Sequence, residues 1–447
     1  MASTSSDLPT PASAAVSAAQ IVAAVRATIP YMTDTLARFV AVQSLSGEEM
    51  PAAEFVEDVL GDLGLSSERI VLRTDQLKDE PLFSPPCCAD GGRYNVLATH
   101  RPTRGGGRSL LFNGHLDVVP TGPAALWSSP PFSGELRDGW LFGRGAGDMK
   151  AGLVCAFAAY RALRMLGVQP AGVVGFNGVL EEESTGNGTL ATVSALRQAI
   201  DAAKLAAFDA VLIPEPTGEA LVEAQLGVFW LYVDITGKPA HAAYMSTGVS
   251  ALEAGLHVVD ALKALEREWN LPERRHARYR EHDHPINFNV GQLHAGDWNS
   301  SVPSTCTLGL RLACYPDMPI DEAKRLVQAR IRASLAALNQ NDIHVEFRYE
   351  GFHAPGCEYD LDEPAMQQLA DAHARVNDAP ARRAALTATT DARHFRKMLD
   401  VPVTCYGPIA RNVHGFDECV SVESMVNVVT VFAQFIADWC GVEPIAA

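Results

Sequence analysis

The chain has 447 residues, of which 47% are hydrophobic and 20% are charged. This composition is typical of a globular protein, and the length is sufficient for two or three domains with cores of their own. The formal net charge of −17 at pH 7 argues against a nucleic acid or an anionic membrane surface as a partner, because both bind clustered Lys and Arg.

The cysteines, the apolar runs and the amino-terminal composition favour a cytoplasmic protein. The nine cysteines include no Cys-x-x-Cys spacing, and their odd number favours reduced thiols over a disulfide framework. No apolar run reaches the ~20 residues that a membrane span requires. Residues 1–20 are rich in Ala and Ser and lack the basic start and apolar core of a signal peptide, so we expect a disordered lead-in.

From residue 21 to about residue 224, helical and strand-like patterns alternate. The predicted helices are 21–42, 51–63 and 151–166, and the predicted strands are 95–99, 110–112, 173–180 and 210–213. This alternation favours an α/β fold in which helices sandwich a mixed or parallel sheet.

A second unit begins near residue 227 and has the order β-α-β-β-α-β. Its predicted strands are 228–236, 286–293, 305–313 and 343–349, and its predicted helices are 249–265 and 321–335. This is the ferredoxin-like arrangement, whose sheet has one face covered by two helices and one face free for a partner. After residue 351 the first pattern returns, with a helix at 363–376 and a strand at 401–406. We therefore expect a first domain (21–226 and 351–447) that is interrupted by a second (227–350).

The most informative segment is Asn113-Gly114-His115-Leu116-Asp117, which closes an apolar run. Residues two apart on a strand point to the same face. His115 and Asp117 therefore share one side at the carboxyl end of a strand, where open α/β sheets place their ligands. A lone His-x-Asp pair is more often a structural hydrogen-bonded pair.

Further acids and a second histidine give this pair its weight. They fall at the ends of apolar strands or in Gly/Pro-rich turns, and they are Asp148, the run Glu181–Glu183, Glu215 and His414. Carboxylates and imidazoles suit Zn²⁺, Mn²⁺ or Co²⁺. Two such ions about 3.5–4 Å apart would polarise a carbonyl group and activate a water molecule.

These motifs together resemble the M20 family of dinuclear metallohydrolases, which includes acetylornithine deacetylase, succinyl-diaminopimelate desuccinylase, aminoacylase and glutamate carboxypeptidase. The resemblance extends from about residue 37 to residue 437 and includes an inserted dimerisation (lid) domain. It rests on Gly114-His115-Leu116-Asp117, Gly145-Ala146-Gly147-Asp148-Met149-Lys150, Glu181-Glu182-Glu183, Glu215-Pro216-Thr217, and His414 with Glu418.

The resemblance implies a set of roles. One metal ion would bind His115, Asp148 and Glu215, and the other would bind Glu183 and His414, with Asp148 bridging the two. Glu182 would be the general base, and Asp117 would orient His115. The family usually has Asp-Glu-Glu where this chain has three glutamates. Because the last two acids align, we interpret Glu181 as a solvated or hydrogen-bonded strand end.

Two positions in the second domain also match the family. Gly237-Lys238-Pro239-Ala240-His241-Ala242 resembles a Gly-x-x-x-His segment whose histidine crosses a homodimer to help hold the oxyanion at the partner's site. Arg311 matches an arginine that binds the substrate's α-carboxylate, and an ordinary exposed strand arginine is the equal alternative. Thr390-Asp391-Ala392-Arg393 also resembles a family element, to which we assign no role.

The sequence therefore predicts an amidohydrolase that cleaves a small N-acyl amino acid or related carboxylate with two divalent ions, Zn²⁺ before Co²⁺ or Mn²⁺. The run from Glu181 to Gly188 resembles the acetylornithine-deacetylase branch most, so a deacylase is favoured over a dipeptidase or carboxypeptidase. A non-catalytic metal-binding homologue is the rival from another class. It is disfavoured because every matching position carries a residue competent for its role.

Overall fold

The computed structural model describes residues 16–204 and 206–445. Eleven α-helices occur in these ranges: α1 (Ala18–Ala27), α2 (Ile29–Ala41), α3 (Met50–Asp62), α4 (Thr74–Leu77), α5 (Ala151–Met165), α6 (Asn187–Asp201), α7 (Ala251–Trp269), α8 (Ile320–Ala336), α9 (Pro364–Asn377), α10 (Ala392–Leu399) and α11 (Val422–Trp439). None of the helices in the described ranges has both the length and the apolarity needed to cross a bilayer.

The strands of the same ranges are β1 (Ser67–Val71), β2 (Tyr94–His100), β3 (Leu110–His115), β4 (Glu135–Arg137), β5 (Trp140–Phe142), β6 (Val168–Pro170), β7 (Val174–Val179), β8 (Val211–Ile213), β9 (Leu221–Gln225), β10 (Gly227–Thr236), β11 (Phe288–Ala295), β12 (Thr305–Cys314), β13 (His344–Arg348), β14 (His353–Ala354), β15 (Cys357–Glu358), β16 (Arg383–Leu386), β17 (Val403–Cys405), β18 (Ala410–Arg411), β19 (Cys419–Ser421) and β20 (Val442–Pro444).

The central sheet is mixed, as the sequence predicts. Its strand order is β1-β2-β7-β3-β8-β17. Strands β7, β3, β8 and β17 run parallel to one another, whereas β2 pairs antiparallel with β1 and β7. Every residue of β3 and β7 is buried, because helices cover both faces. The carboxyl ends of the four parallel strands therefore open at one edge of the sheet.

Helices α5 and α11 pack against each other and against this sheet, and aromatic rings fill the contact. The ring of Phe112 on β3 lies 5.2 Å from that of Phe432 on α11 and 5.7 Å from that of Phe176 on β7. Gly152 lets the start of α5 lie close to the loop after β8. A larger residue would not fit there, because its Cβ atom would lie 1.8 Å from the carbonyl oxygen of Pro214. The small residues of α5 thus bring the helix start against the segment that carries Glu215.

The lid domain contains a separate antiparallel sheet with the order β11-β12-β10-β13. Counted within the domain, this is the strand order 2-3-1-4, as expected of a ferredoxin-like unit. Alternate residues of β10 point to opposite faces. Phe229, Leu231 and Val233 enter the core of the lid beneath α7 and α8, while Val228, Trp230 and Tyr232 line a cavity. The sheet face predicted to be free for a partner therefore borders, in part, the protein's own cavity.

The amino-terminal segment differs from the expectations in two ways. Residues 1–15 of the predicted lead-in lie outside the described ranges, but α1 already begins at Ala18, with a capping box formed by Ser17 and Gln20. The single helix predicted over 21–42 is two helices that meet at Thr28. Pro30 explains the break, because proline has no N–H to continue the first helix and is favoured in the first turn of the next.

Candidate metal centre

Five side chains with metal-binding atoms meet at the open edge of the central sheet. His115 ends β3, Glu183 follows β7, and Glu215 follows β8, so the three parallel strands deliver one ligand each. Asp148 comes from the turn before α5, and His414 comes from the connection between β18 and β19. The sheet topology thus joins residues that are up to 299 positions apart in the sequence.

Asp148 lies between two groups of ligands. Its Oδ1 is 3.0 Å from Nε2 of His115, and its Oδ2 is 3.4 Å from Nε2 of His414. Around the first oxygen, Glu215 Oε1 lies 4.0 Å from the same His115 nitrogen. Around the second, Glu183 Oε1 lies 3.1 Å from His414 Nε2. Two three-residue sets, each with ligand atoms within 4.8 Å of one another, therefore share Asp148.

The charges in this cluster fit a pair of cations. Burial and the neighbouring Asp148 carboxylate raise the pKa of Glu215 well above its usual value. Burial alone would lower the pKa of His414, but its hydrogen bonds to Asp148 and Glu183 raise it to about 10. His115 behaves likewise: against the effect of burial, Asp148 and Glu215 raise its pKa well above normal. The crowded carboxylates thus stabilise positive charge at both histidines, where divalent ions would supply it.

Asp117, two residues after His115, contacts both the imidazole and the acids that follow β7. The carbonyl oxygen of Asp117 lies 2.8 Å from Nδ1 of His115, which leaves Nε2 to face Asp148. The carboxylate of Asp117 instead accepts hydrogen bonds from the backbone N–H groups of Glu182 (3.0 Å) and Glu183 (3.1 Å). Asp117 thus contacts His115 mainly through its backbone and holds the Glu182–Glu183 segment with its side chain.

Glu182 is 6% exposed, and its Oε1 has no hydrogen-bond partner among the described residues. Burial and the nearby carboxylate of Asp391 raise the pKa of Glu182 well above its usual value. A buried acid without a partner is costly unless a ligand or water uses it. This carboxyl group is therefore available to exchange a proton in the site.

Glu181 points away from the ligands and is fully buried. Its carboxylate forms an ion pair with Arg93 and accepts a hydrogen bond from Thr185 Oγ1 at 2.7 Å. The interpretation of Glu181 as a hydrogen-bonded residue agrees with these contacts. The alternative interpretation, a solvated residue, does not.

Glu418 supports the turn that carries Asp148. Its Oε1 accepts hydrogen bonds from the backbone N–H groups of Gly147 (2.9 Å) and Asp148 (3.1 Å), and its other oxygen pairs with the buried Arg144. The sequence places Glu418 in a motif with His414 but gives it no role. The one sequence feature that could have indicated a role for Glu418 is its position four residues after the candidate ligand His414.

The two lid residues singled out by the sequence lie in different places. Arg311 lines a cavity of about 780 Å³ whose other lining residues include Glu182, Glu183 and His414. Its guanidinium group donates a 3.4 Å hydrogen bond to the carbonyl oxygen of Thr387. His241 is exposed instead, and its Nδ1 accepts a 3.0 Å hydrogen bond from the N–H of Ala243. It is not among the residues that line the cavity.

The segment Thr390–Arg393 forms a buried layer behind Glu182. Asp391 accepts a 2.6 Å hydrogen bond from Thr189 Oγ1, and Arg393 donates a 2.6 Å hydrogen bond to the carbonyl oxygen of Thr390. Both side chains are almost fully buried. The segment thus contributes charge close to Glu182 without lining the cavity itself.

Comparison with known proteins identifies relatives over most of the chain. The profile of peptidase family M20/M25/M40 matches residues 111–438. A succinyl-diaminopimelate desuccinylase of Methylorubrum extorquens (strain PA1) is 28% identical over 407 residues, covering 88% of this chain and 94% of that protein. An N-formyl-4-amino-5-aminomethyl-2-methylpyrimidine deformylase of Bacillus subtilis (strain 168) is 25% identical over 357 residues, covering 74% and 79%.

Solved structures share the fold at lower identity. Human carnosine dipeptidase 1 superposes with a TM-score of 0.74 at 16% identity and covers 95% of this chain and 100% of that one. The di-peptidase Dug1p from Saccharomyces cerevisiae gives a TM-score of 0.75 at 15% identity and covers 95% and 98%. These likenesses confirm the architecture of a catalytic domain with a mixed sheet and a lid with a small antiparallel sheet.

Proposed function

The chain belongs to peptidase family M20/M25/M40, whose members are metallohydrolases of amide and peptide bonds, and from this premise we propose that it is a deacylase. Its substrate would be an N-acyl amino acid or a related small carboxylate. The relatives named for a desuccinylase and a deformylase remove an acyl group, and this supports a deacylase over a dipeptidase or carboxypeptidase.

The observation that carries the proposal is the shared position of Asp148. Its two oxygens face His115 and His414 separately, beside a buried Glu182 with an unpartnered oxygen. A structural ion pair would need neither two separate ligand groups nor a third acid without a partner. A dinuclear site that activates water needs both ligand groups and an acid that can accept a proton.

The family has a dinuclear metal site, and the donor atoms here suit one. We propose that His115, Asp148 and Glu215 hold one ion and that Glu183, His414 and Asp148 hold the other. Imidazole and carboxylate donors favour Zn²⁺, with Co²⁺ or Mn²⁺ as alternatives. When bound, the two ions would supply Lewis acidity toward the scissile carbonyl group and the attacking water.

Glu182 would move the proton. Its raised pKa suits a group that accepts a proton from the attacking water and returns it to the nitrogen of the leaving amine. Asp117 would keep this carboxyl group in place, because it binds the backbone N–H groups of both Glu182 and Glu183. The same contact would couple the position of the base to that of a metal ligand.

Arg311 would bind the α-carboxylate of the substrate. It has no carboxylate partner in the described part of the chain, and burial lowers its pKa from the usual value. Arg311 is half-buried, so its guanidinium group loses part of its hydration without gaining a counter-ion, and a substrate carboxylate would supply one with two parallel hydrogen bonds. Arg311 and the metal ligands would thus hold opposite ends of a short substrate.

We further propose a homodimer in which His241 serves the partner's site. The loops around His241 and Ser301 pair with each other, and three large side chains nearby are strongly exposed: Tyr244 (69%), Met245 (62%) and Trp298 (72%). Strand β11 is an uncovered edge of the lid sheet, and such edges and apolar patches favour pairing with another chain. Because Nδ1 of His241 accepts a hydrogen bond, its neutral ring carries the proton on Nε2 and can donate it to an oxyanion.

A substrate panel tests the proposed reaction. Metal-stripped protein would be supplied with Zn²⁺, Co²⁺ or Mn²⁺ and assayed with N-acetyl, N-formyl and N-succinyl amino acids and with dipeptides that have a free amino group. We expect N-acyl amino acids to be hydrolysed faster than dipeptides. Faster hydrolysis of dipeptides would make the protein a peptidase, and no hydrolysis of either class with any metal would refute the proposal.

A further inference from the structure

One wall of the substrate cavity is aromatic and belongs to the lid. On the cavity side of β10, Val228, Trp230 and Tyr232 follow one another at alternate positions, and Phe352 extends this wall. Residues of this kind on the helix-covered face would be ordinary core residues. On the side that faces Glu182 and Glu183 they form the wall of the site.

Neighbouring groups hold the aromatic wall in a fixed arrangement. The rings of Trp230 and Phe352 meet edge to face, with centroids 5.5 Å apart. Trp230 also lies against Gly351, where a Cβ atom would come within 2.3 Å of its ring and where φ is +76°. The guanidinium group of Arg348 lies 4.5 Å from the centre of the Tyr232 ring. A wall that is ordered in advance costs little entropy when a ligand binds it.

The charges of the cavity disfavour a second ionic group on the substrate. Among the described residues that line it, Arg311 is the only Lys or Arg, and Glu182 and Glu183 are the only acids. Arg311 would bind the α-carboxylate, and the two acids belong to the proposed catalytic end. A second carboxylate or an ammonium group against Trp230 and Phe352 would lose its hydration, and the amides of Asn289 and Gln292, which also line the cavity, carry no charge to balance it.

The strand register places the aromatic wall next to the residue that would hold the substrate's carboxylate. Trp230 on β10 lies directly opposite Arg311 on β12, and such residues have Cβ atoms about 4.5–5.5 Å apart. The side chain of an amino acid leaves the carbon atom that carries its α-carboxylate. A carboxylate held by Arg311 would therefore bring that side chain within reach of the Trp230 ring on one side and of the neutral Asn289 on β11, which lies opposite Arg311 on the other side.

We infer that the amino-acid part of the substrate carries an aromatic or other large apolar side chain, which packs against Val228, Trp230, Tyr232 and Phe352. This inference rests on the proposed deacylase function and specifies its substrate class. Burying such a side chain against a preformed apolar wall favours it over a small or charged one by about 10- to 100-fold in kcat/KM.

The test compares four substrates that share one acyl group: the N-acetyl derivatives of phenylalanine, alanine, aspartate and lysine. The wild-type protein should prefer the phenylalanine derivative by about 10-fold or more. Trp230→Ala should remove most of this preference, because kcat/KM should fall by about 10-fold or more for the phenylalanine derivative and by less for the alanine derivative. Tyr349→Ala is the matched control, because this ring packs on Lys324 of α8 and does not line the cavity, and it should leave the order of the four substrates unchanged.

A binding measurement separates this inference from the proposed function. The same four compounds would be titrated into metal-loaded Glu182→Gln protein by calorimetry. If none is hydrolysed by the wild type but the phenylalanine derivative binds tightest and loses affinity in Trp230→Ala, the reaction is wrong and the apolar subsite stands. A preference for the aspartate or lysine derivative in rate or in binding, or an unchanged preference in Trp230→Ala, would overturn the inference.

Discussion

Three consecutive glutamates with identical side chains lie in three different environments. Glu181 pairs with Arg93, Glu182 is buried with an unpartnered oxygen, and Glu183 contacts His414. Glu181 has a φ of +58°, so the chain leaves its strand conformation there and strand alternation no longer assigns the directions of the side chains. The sequence identifies the acidic run, but only the turn geometry separates the three acids.

Replacing Glu182 by Gln tests its role as base. The amide keeps the shape of the side chain but cannot accept the proton, so turnover should fall by about 10²- to 10⁴-fold. Metal content, measured by elemental analysis, should stay near that of wild type. Glu181→Gln is the control: it should lower the thermal midpoint, because it leaves the buried Arg93 with one carboxylate fewer, and it should retain most of the turnover. Loss of a metal ion from Glu182→Gln would instead make this residue a ligand.

Glu418 should act on the metal centre through Asp148. In Glu418→Gln the buried Arg144 loses its counter-charge, and the turn with Gly147 and Asp148 loses its ionic acceptor. We expect the affinity for metal ions to fall by about 10- to 100-fold, measured by competition with a chelator of known affinity. Asp417→Asn is the matched control, since Asp417 binds the N–H of Ser128 rather than this turn. Equal affinities in both variants would contradict the supporting role.

At the scale of secondary structure, sequence patterns predict most elements that build the site. The strands β2, β3, β7 and β8 and the helix α5 lie where the pattern of apolar residues places them, within a few residues at each end. Three of the five candidate ligands, His115, Glu183 and Glu215, follow from the same pattern, because acids and histidines at strand ends meet at one edge of a parallel sheet, whereas Asp148 and His414 stand in glycine-containing turns. Their individual roles come from the family resemblance.

Other features depend on contacts that a linear pattern does not contain. Helix α11 is buried along most of its length, with only Glu423 exposed, and its many valines are as typical of a buried strand as of a helix. To predict the aromatic wall, one would need to know that β10 pairs with β12 and that one face of β10 points toward the catalytic domain. The roles of Glu418 and of the Asp117 carboxylate are hydrogen bonds between segments that are far apart in the sequence.

Strand β14 carries a histidine that should make stability depend on pH. Burial and the ammonium group of Lys324, 2.6 Å away, lower the pKa of His353 to about 4. Between pH 6.5 and 4 the unfolded chain binds this proton and the folded one does not, so stability falls as the pH is lowered through this range. His353→Gln should lose this contribution, on the order of 1 kcal/mol at pH 5 after allowance for partial exposure. Equal differences in unfolding free energy between pH 7.5 and 5 for both proteins would contradict this account.

At the scale of the whole molecule, the cavity lies between the two domains, and His241 lies away from it in its own chain. A mixture of His241→Ala and Glu182→Gln chains tests sharing between subunits. Each variant should be nearly inactive alone. Random pairing makes half of the dimers mixed, and each of these has one intact site of two, so about a quarter of wild-type activity should return. No recovery, with mixed dimers verified by differently tagged chains, would place His241 outside the partner's site.

The most direct test of the account is the metal stoichiometry of the active protein, measured in wild type and in Asp148→Asn by elemental analysis alongside turnover. Because both ligand groups share Asp148, we expect two divalent ions per wild-type chain, complete loss of turnover on chelation, and recovery when Zn²⁺, Co²⁺ or Mn²⁺ is added back. Asp148→Asn should lose both ions and its activity together. Full turnover in metal-free wild-type protein, or an Asp148→Asn protein that retains two ions and normal activity, would contradict a dinuclear centre built around Asp148.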